Sequence, residues 1–467
     1  MAMRVSCRLR YAVLIVLASC SAHGFEAPIG RTRDAPRVRV RSVVLAGDSP
    51  HVQVSGLVAE QTVRVHALRR TGGMRDSMLL HAWADVRADA RGIVDLDVAQ
   101  PLAGSYRRPD GLGLLWSGYP RGDEALPKAV PADLYDLDGE PVGTVVLRLE
   151  RSGSVVSSAA FRVIEEAAET RFESVARPGL DGVFAARAGA RHLPTVLVLH
   201  GSEGGNAVRA RAAAAYYAAR GFAALALNYF AWPYERVPEL PVVHINIRVE
   251  TIEHAHDWLA GRPEVDRQRI GIVGASKGAE FALVAASRYD WIKAVVACVP
   301  SDVVWQGYGR DVSPQERASS WSVGGTPLPY VPLYRESPER PFDYVDNTER
   351  YERSRRDHPA EASAARIPVE RSNAQLLLIG SDRDEVWASG RMIRTIVESM
   401  GNSGKGANVR SLIFPTAGHR VCGVGSSPIR LYSSQSSDPA AKDVTDEGEA
   451  ATRSERARLE FLTAALR

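Results

Sequence analysis

Cysteine is scarce in this chain of 467 residues, with four in all: Cys7, Cys20, Cys298 and Cys422. A framework of several disulfides is therefore excluded. Only Cys298 and Cys422 lie in the body of the chain, where they either pair or stay free and buried. A charge excess is also lacking. The formal charge is +3, and removing Arg4, Arg8 and Arg10 with the acid-free first nineteen residues would leave zero. No basic face follows, so nucleic acid is not an expected partner. The chain shows no internal repeat and no Gly-x-x-x-x-Gly-Lys-Ser/Thr phosphate loop. His254 and His256 stand two apart on a predicted helix and point away from each other, and no further ligands gather near them in sequence. Neither a metal nor a cofactor is expected.

What remains is an ordinary globular composition, 45% hydrophobic and 24% charged, long enough for two or three domains with a large core. At the N-terminus a basic stretch precedes an apolar run from Tyr11 to Ala18 that is too short to span a bilayer. It has the shape of a secretory signal over residues 1–19. Leu17-Ala18-Ser19-Cys20 resembles a bacterial lipoprotein cleavage box, with Cys20 as the lipidated first residue. Plain cleavage near Ser21 and Ala22 is the alternative. The lipoprotein reading puts the mature protein on the periplasmic face of a bacterial membrane, held by a lipid anchor rather than a span. Residues 20–35 read as a polar tether.

Residues 36–168 alternate apolar and polar side chains in short segments such as "HVQVSGLV", "TVRVHALR" and "TVVLRLERSG". Turn residues separate them, which predicts an immunoglobulin-like β-sandwich. From about Phe172 the rhythm changes. "TVLVLHG", "FAALALNYF", "RIGIVG", "IKAVVACVP", "AQLLLIG" and "VRSLIFP" are nearly continuous apolar runs. Helix-like stretches lie between most of them, and a last amphipathic helix runs from about Glu447 to Leu466. Buried strands alternating with helices specify an α/β fold with a mainly parallel sheet over residues 172–467. Residues 302–366 are largely irregular. "SSPIRLYSSQSSD" reads as a surface loop by composition.

Chemistry concentrates in "GIVGASKGAE", residues 271–280. Gly-x-Ser-x-Gly alone is weak, since small residues meet serine in many turns. Here a buried strand precedes it and a helix follows, as in a nucleophile elbow. Ser276 would then stand at a helix N-terminus, which favours developing negative charge. A serine hydroxyl needs a general base and a group that orients it. In the α/β-hydrolase order, Ser then acid then His, "LLLIGSDRDEVW" offers Asp382, Asp384 or Glu385, and "LIFPTAGHR" offers His419. Asp384 is favoured because its spacing after Gly380 lets the chain turn inward. Both loops follow strands and fall at the same sheet edge as the elbow. The backbone N–H groups of Lys277 and of Ser202 in "HGSEGGN" are the expected oxyanion donors. Trp232, Tyr234, Trp305 and Tyr308 follow strand ends, either as the lining of an acyl pocket or as core aromatics.

Together these residues resemble the family of acyl-CoA thioesterases and bile acid-CoA:amino acid N-acyltransferases. "AGSYRRPDGLGLLWSGYP", "GFAALALNYF", "GASKGAE", "IPVERSNAQLLLIGSDRDEVW" and "FPTAGH" carry the resemblance over most of the chain. It implies a β-sandwich followed by an α/β-hydrolase domain, with Ser276 as nucleophile, His419 as base and Asp384 as acid through an Asp-x-x-Trp ending at Trp387. It also implies acyl thioester hydrolysis, because hydrolytic members carry serine in the elbow and the amino-acid-conjugating mammalian members carry cysteine. The family's Asp-Asp pair is replaced here by Asp382-Arg383-Asp384. An export leader would separate the enzyme from cytoplasmic acyl-CoA. Another thioester, an ester or an amide therefore stays open as substrate, as does transfer to an amine. A non-catalytic surface-binding lipoprotein is the remaining alternative. Acyl chain, leaving group and oligomeric state are not written in these motifs.

Overall fold

The computed structural model describes residues 35–71, 78–141, 143–235, 237, 240–309, 312, 318–334, 347–425, 427–428 and 445–467. The expected export leader over residues 1–19, Cys20, nearly all of the expected tether and most of the Ser-rich segment lie outside these residues. In the N-terminal region the alternating segments become two layers, antiparallel except where β2 pairs parallel with β10. One sheet joins β1 (Arg37–Arg39), β3 (Gln53–Ser55) and β6 (Val94–Asp95). The other runs in the order β2 (Val43–Leu45), β10 (Ser154–Ile164), β9 (Thr144–Arg151), β4 (Thr62–Thr71), β5 (Met78–Arg87) and β7 (Ala103–Gly104), with β8 (Tyr119–Pro120) also on β5. Val54, Val65, Ala84, Leu147 and Phe161 fill the space between the layers. The inward side chains are every second residue of each strand, as the pleat requires. A short helix, α1 (Gly113–Trp116), closes one end and buries all four of its residues.

The second region is built on one eight-stranded sheet, in the order β11 (Thr170–Arg177), β12 (Leu180–Arg187), β14 (Ala223–Asn228), β13 (Leu193–Leu199), β16 (Val265–Ala275), β17 (Ile292–Cys298), β20 (Gln375–Ser381) and β21 (Val409–Phe414). Its first two strands are antiparallel, and all pairings from β14 to β21 are parallel. This is the α/β-hydrolase sheet. Helices α2 (Ala207–Ala218) and α8 (Thr445–Ala465) cover one face, where Ala214, Phe461 and Leu462 meet Val196 and Val296. On the other face α3 (Glu250–Ala260), α4 (Lys277–Ala286) and α7 (Ser389–Asn402) bring Ile252, Phe281 and Ile393 against Leu197, Ile272 and Leu378. A strand covered on both faces has no polar side, which is why every residue of "AALALN" in β14 is buried.

Between β17 and β20 the described residues form a cap of small parts. They are β18 (Trp321–Val323) and β19 (Thr326–Pro327), which form a three-stranded ribbon with β15 (Ile247–Arg248) from before α3, and helices α5 (Asn347–Asp357) and α6 (Pro359–Ala364). Arg355 fastens α5 to Asp302, just past β17, by two hydrogen bonds of 2.9 and 2.8 Å.

Candidate active site

The turn from β16 into α4 is tight enough to dictate its glycines. A Cβ on Gly274 would lie 2.1 Å from the Gly278 carbonyl oxygen, and one on Gly278 would lie 2.4 Å from that of His200. Between them Ser276 adopts φ 55° and ψ −118°, a strained left-handed conformation for a residue with a Cβ. Its backbone N–H donates to the Cys298 carbonyl at 2.9 Å, and its own carbonyl accepts from Ala279 and Glu280 in the first turn of α4. The strained turn leaves the side chain half-buried at the head of the helix rather than folded into it.

The rest of the elbow motif points inward. Lys277 Nζ donates to Glu280 Oε2 at 2.7 Å, and both side chains are buried. Glu280 Oε1 accepts from Trp321 Nε1 at 2.7 Å and from the Trp305 N–H at 3.2 Å. Burial lowers the Lys277 pKa and raises that of Glu280, and their mutual attraction opposes both shifts. This pair ties α4 to the cap, so Lys277 contributes its side chain to structure and leaves its backbone N–H at the helix N-terminus. Gly201 stands against the elbow, where an added Cβ would meet Ser276 Cβ at 3.5 Å. The Gly201 N–H is taken by Glu203 Oε1 at 2.8 Å. The next residue, Ser202, is pinned through its carbonyl by Trp232 Nε1 at 3.1 Å.

Past β20 the three acids separate. Asp382 turns to the surface and pairs with Arg394 at 2.6 and 2.9 Å. Asp384 turns inward, and its Oδ1 accepts from His419 Nδ1 at 2.8 Å and from the N–H groups of Val386 and Trp387 at 3.0 and 3.2 Å. Glu385 Oε2 accepts the backbone N–H of His419 at 2.8 Å, which fixes the loop rather than the ring. Trp387 is buried, lies edge-on to the imidazole at 5.8 Å, and donates through Nε1 to the Val299 carbonyl at 3.1 Å. Burial alone would lower the His419 pKa. The charge and hydrogen bond of Asp384, with the charges of Glu385 and Glu447, outweigh it and hold the pKa above the ordinary 6.5. Of the expected residues, the structure joins Asp384 to His419. Ser276 stands at its own turn on the same sheet edge, without a hydrogen bond to the imidazole among the described residues.

The aromatics divide. Trp305 is a core residue packed edge-on against Tyr351. Trp232 and Tyr308 lie together beside the Ser202 loop, with ring centroids 6.1 Å apart, while Tyr234 is 60% exposed. His254 lies beside Gly179, and His256 stacks on Trp291 at 4.3 Å. Two anchors of the site are not legible in the sequence, and a third is one of its open alternatives. Glu385 enters the sequence only as a competing acid, and its contact with the His419 N–H leaves no pattern there. Glu447, which accepts the Arg420 N–H at 2.8 Å, had no signal beyond its place at the start of the last helix. The bridge between Cys298 and Cys422, with Cα atoms 6.1 Å apart, is the paired one of the two alternatives the sequence leaves for these cysteines.

Two family models match. That for the BAAT / acyl-CoA thioester hydrolase C terminal covers residues 247–423, and that for the acyl-CoA thioester hydrolase/BAAT N-terminal region covers residues 48–144. Acyl-coenzyme A thioesterase 1 of Rattus norvegicus is 27% identical over 378 residues, 79% of this chain and 81% of the relative. Acyl-coenzyme A thioesterase 6 of Mus musculus is 28% identical over 387 residues, 79% and 81% of the two chains. Among solved structures, a puromycin-hydrolysing peptidase of Mycobacterium tuberculosis matches with a TM-score of 0.42 at 14% identity, over 85% of this chain and 54% of its own. A dienelactone hydrolase of Anabaena variabilis matches at 0.36 and 19% identity, over 64% of this chain and 100% of its own. This chain is a hydrolase of the acyl-CoA thioester hydrolase/BAAT family.

Proposed function

We propose that the protein hydrolyses acyl thioesters through an acyl-enzyme on Ser276. The observation that carries this reading is the Asp384–His419 hydrogen bond of 2.8 Å at the sheet edge where the Ser276 turn also opens. Asp384 holds the imidazole with Nδ1–H as donor, which leaves Nε2 to accept the Ser276 proton as the hydroxyl attacks the acyl carbonyl. The backbone N–H groups of Ser202 and Lys277 stabilise the oxyanion, one from the loop beside the elbow and one from the start of α4. His419 then gives the proton to the leaving thiol. Water, deprotonated by the same imidazole, releases the acid. The relatives named as acyl-coenzyme A thioesterases support a thioester as the substrate class.

The same proposal places the mature enzyme outside the cytoplasm, with residues 1–19 as an export leader and Cys20 as a lipidated first residue on the periplasmic face of a bacterial membrane. The Cys298–Cys422 bridge supports that placement, because such bonds persist in oxidising compartments. The test offers acyl-CoAs of graded length and matched p-nitrophenyl esters to the protein from Ser21 onward and follows release of thiol and phenol. Thioester cleavage is expected to exceed ester cleavage and to vanish in Ser276→Ala. Cleavage that survives Ser276→Ala would sink the mechanism, and ester cleavage far above thioester cleavage would sink the substrate class.

A further inference from the structure

Cys298 is the last residue of β17, the strand between β16, which carries the elbow, and β20, which leads to the acid. It meets all three catalytic turns within two residues of chain. Its carbonyl accepts the Ser276 N–H at 2.9 Å. Its neighbour Val299 donates to the Ile379 carbonyl of β20 and accepts from Trp387 Nε1 at 3.1 Å, in the turn that Asp384 opens. Its Sγ is bonded to Cys422, three residues beyond His419. Val299 has φ 44°, a conformation that a β-branched residue holds only when its surroundings over-determine it. The His419 loop is held upstream by Ser381 Oγ on the Ala417 carbonyl, and at its centre by Glu385 and Glu447. Downstream, Cys422 is its covalent tie to the strand beside the elbow.

We infer that the Cys298–Cys422 bridge is a positioning device for catalysis, setting the His419 loop against the Ser276 turn so that turnover depends on the bridge being closed. This rests on Ser276 and His419 being nucleophile and base. A dithiol reductant opens the bridge by exchange. Its two thiols become a disulfide, and Cys298 and Cys422 become thiols, with two electrons and two protons transferred. Cys298 is buried and Cys422 only half so, which makes Cys422 the accessible end. Displacement of the imidazole by a fraction of an ångström to about 1 Å lowers the chemical step roughly 10- to 100-fold, while the acyl and leaving-group contacts that set KM are untouched.

The experiment compares the oxidised protein, the same protein reduced and alkylated, and Cys422→Ser, reading kcat, KM, thermal midpoint and the rate of Ser276 labelling by a fluorophosphonate. The expected result is a kcat about 10- to 100-fold lower in both opened forms, with KM changed less than about twofold and labelling slowed by the same factor. Reoxidation of unalkylated reduced protein should restore kcat. An unchanged kcat in Cys422→Ser, with or without a lower thermal midpoint, overturns the inference, because a purely structural bridge would move only the midpoint. A fall in kcat/KM carried by KM alone also overturns it. If the bridge resists reduction in the folded protein, the variant decides by itself. The oxidised protein separates this from the proposed function: absence of serine-dependent hydrolysis there counts against the function, whereas equal activity and labelling in opened and closed forms count against the bridge.

Discussion

As the proposed base, His419 acts only while its Nε2 is unprotonated, and its surroundings favour the proton. Asp384 is bonded to Nδ1, Glu385 to the backbone N–H, and Glu447 lies close enough to add to the field. The folded pKa is raised, so the active neutral form is lost as pH falls through a value above 6.5. The acid limb of kcat/KM should therefore lie above the ordinary histidine range. Glu385→Gln removes one of the charges that raise it, and the amide oxygen can still accept the His419 N–H. The limb is then expected to move to lower pH with its plateau kept within a few-fold. A limb that stays in place would show that Glu385 does not set the field. Position rather than identity made this site legible. The order of serine, acid and histidine and their places after buried strands could be read from residues alone. The spacing after Gly380 already favours Asp384 over Asp382 in the sequence, and the inward turn lets its Oδ1 collect the Val386 and Trp387 N–H groups. The supporting role of Glu385 was not legible, because a carboxylate that accepts a distant backbone N–H leaves no pattern in sequence.

Elements were legible where one face or both faces of a strand share one environment. β14 announces itself as an unbroken apolar run, and β4 begins as a clean alternation. β5 is harder to read, because "MLLHAWADVR" mixes its two faces. The cause is a second layer outside the sandwich, where residues 130–137 lie over β4 and β5 and bury Leu68, Leu134, Leu137 and Val146 together. The same cover encloses a chain of polar groups. Glu150 Oε2 meets His66 Nε2 at 2.8 Å, His66 Nδ1 meets His81 Nε2 at 2.9 Å, and His81 Nδ1 meets Tyr135 Oη at 3.0 Å. If each Nε2 carries the hydrogen, both imidazoles are neutral and every contact has one donor. Burial pushes the two histidines down to about 4 and about 3. The unfolded chain then binds more protons than the folded one below about 6.5, so stability is complete above that pH and declines as pH falls toward 4. Between pH 7 and 5 the loss should be about 2–4 kcal/mol. Urea unfolding at the two pH values measures it, and His66→Gln/His81→Gln should flatten the difference. An equally steep decline in that variant would assign the acid sensitivity elsewhere. The cap resisted reading for another reason: its short ribbon and isolated bridges have no period for a sequence pattern to reveal.

At the scale of the whole molecule, the sandwich meets the hydrolase region where the histidine loop is anchored. The segment 106–116, which carries "GLLW", lies against the first half of α8. Trp116 is buried over Gly448, so that an added Cβ there would come within 2.2 Å of the indole. Asp110 accepts from Trp116 Nε1 at 2.8 Å and from the Leu112 N–H at 2.9 Å, and Arg107 and Arg108 reach Asp446 and Glu449 at 3.5 and 3.2 Å. One residue before Gly448, Glu447 holds the Arg420 N–H, next to His419. The N-terminal region thus presses on the helix start that holds the His419 loop, without placing a residue of its own in the proposed triad. Its effect on catalysis can be tested without removing it. Gly448→Ala should force α8 away from Trp116 at a cost of about 1–3 kcal/mol, because the indole is enclosed and cannot swing aside. The shift passes to Glu447 and then to the His419 loop, so kcat should fall together with the thermal midpoint while the order of preference among acyl chain lengths stays the same. Trp116→Phe/Gly448→Ala, which trims the indole where the new methyl group would sit, should recover part of both losses. Recovery of the midpoint without any recovery of kcat would mean that the sandwich stabilises the hydrolase region but leaves the base where it was.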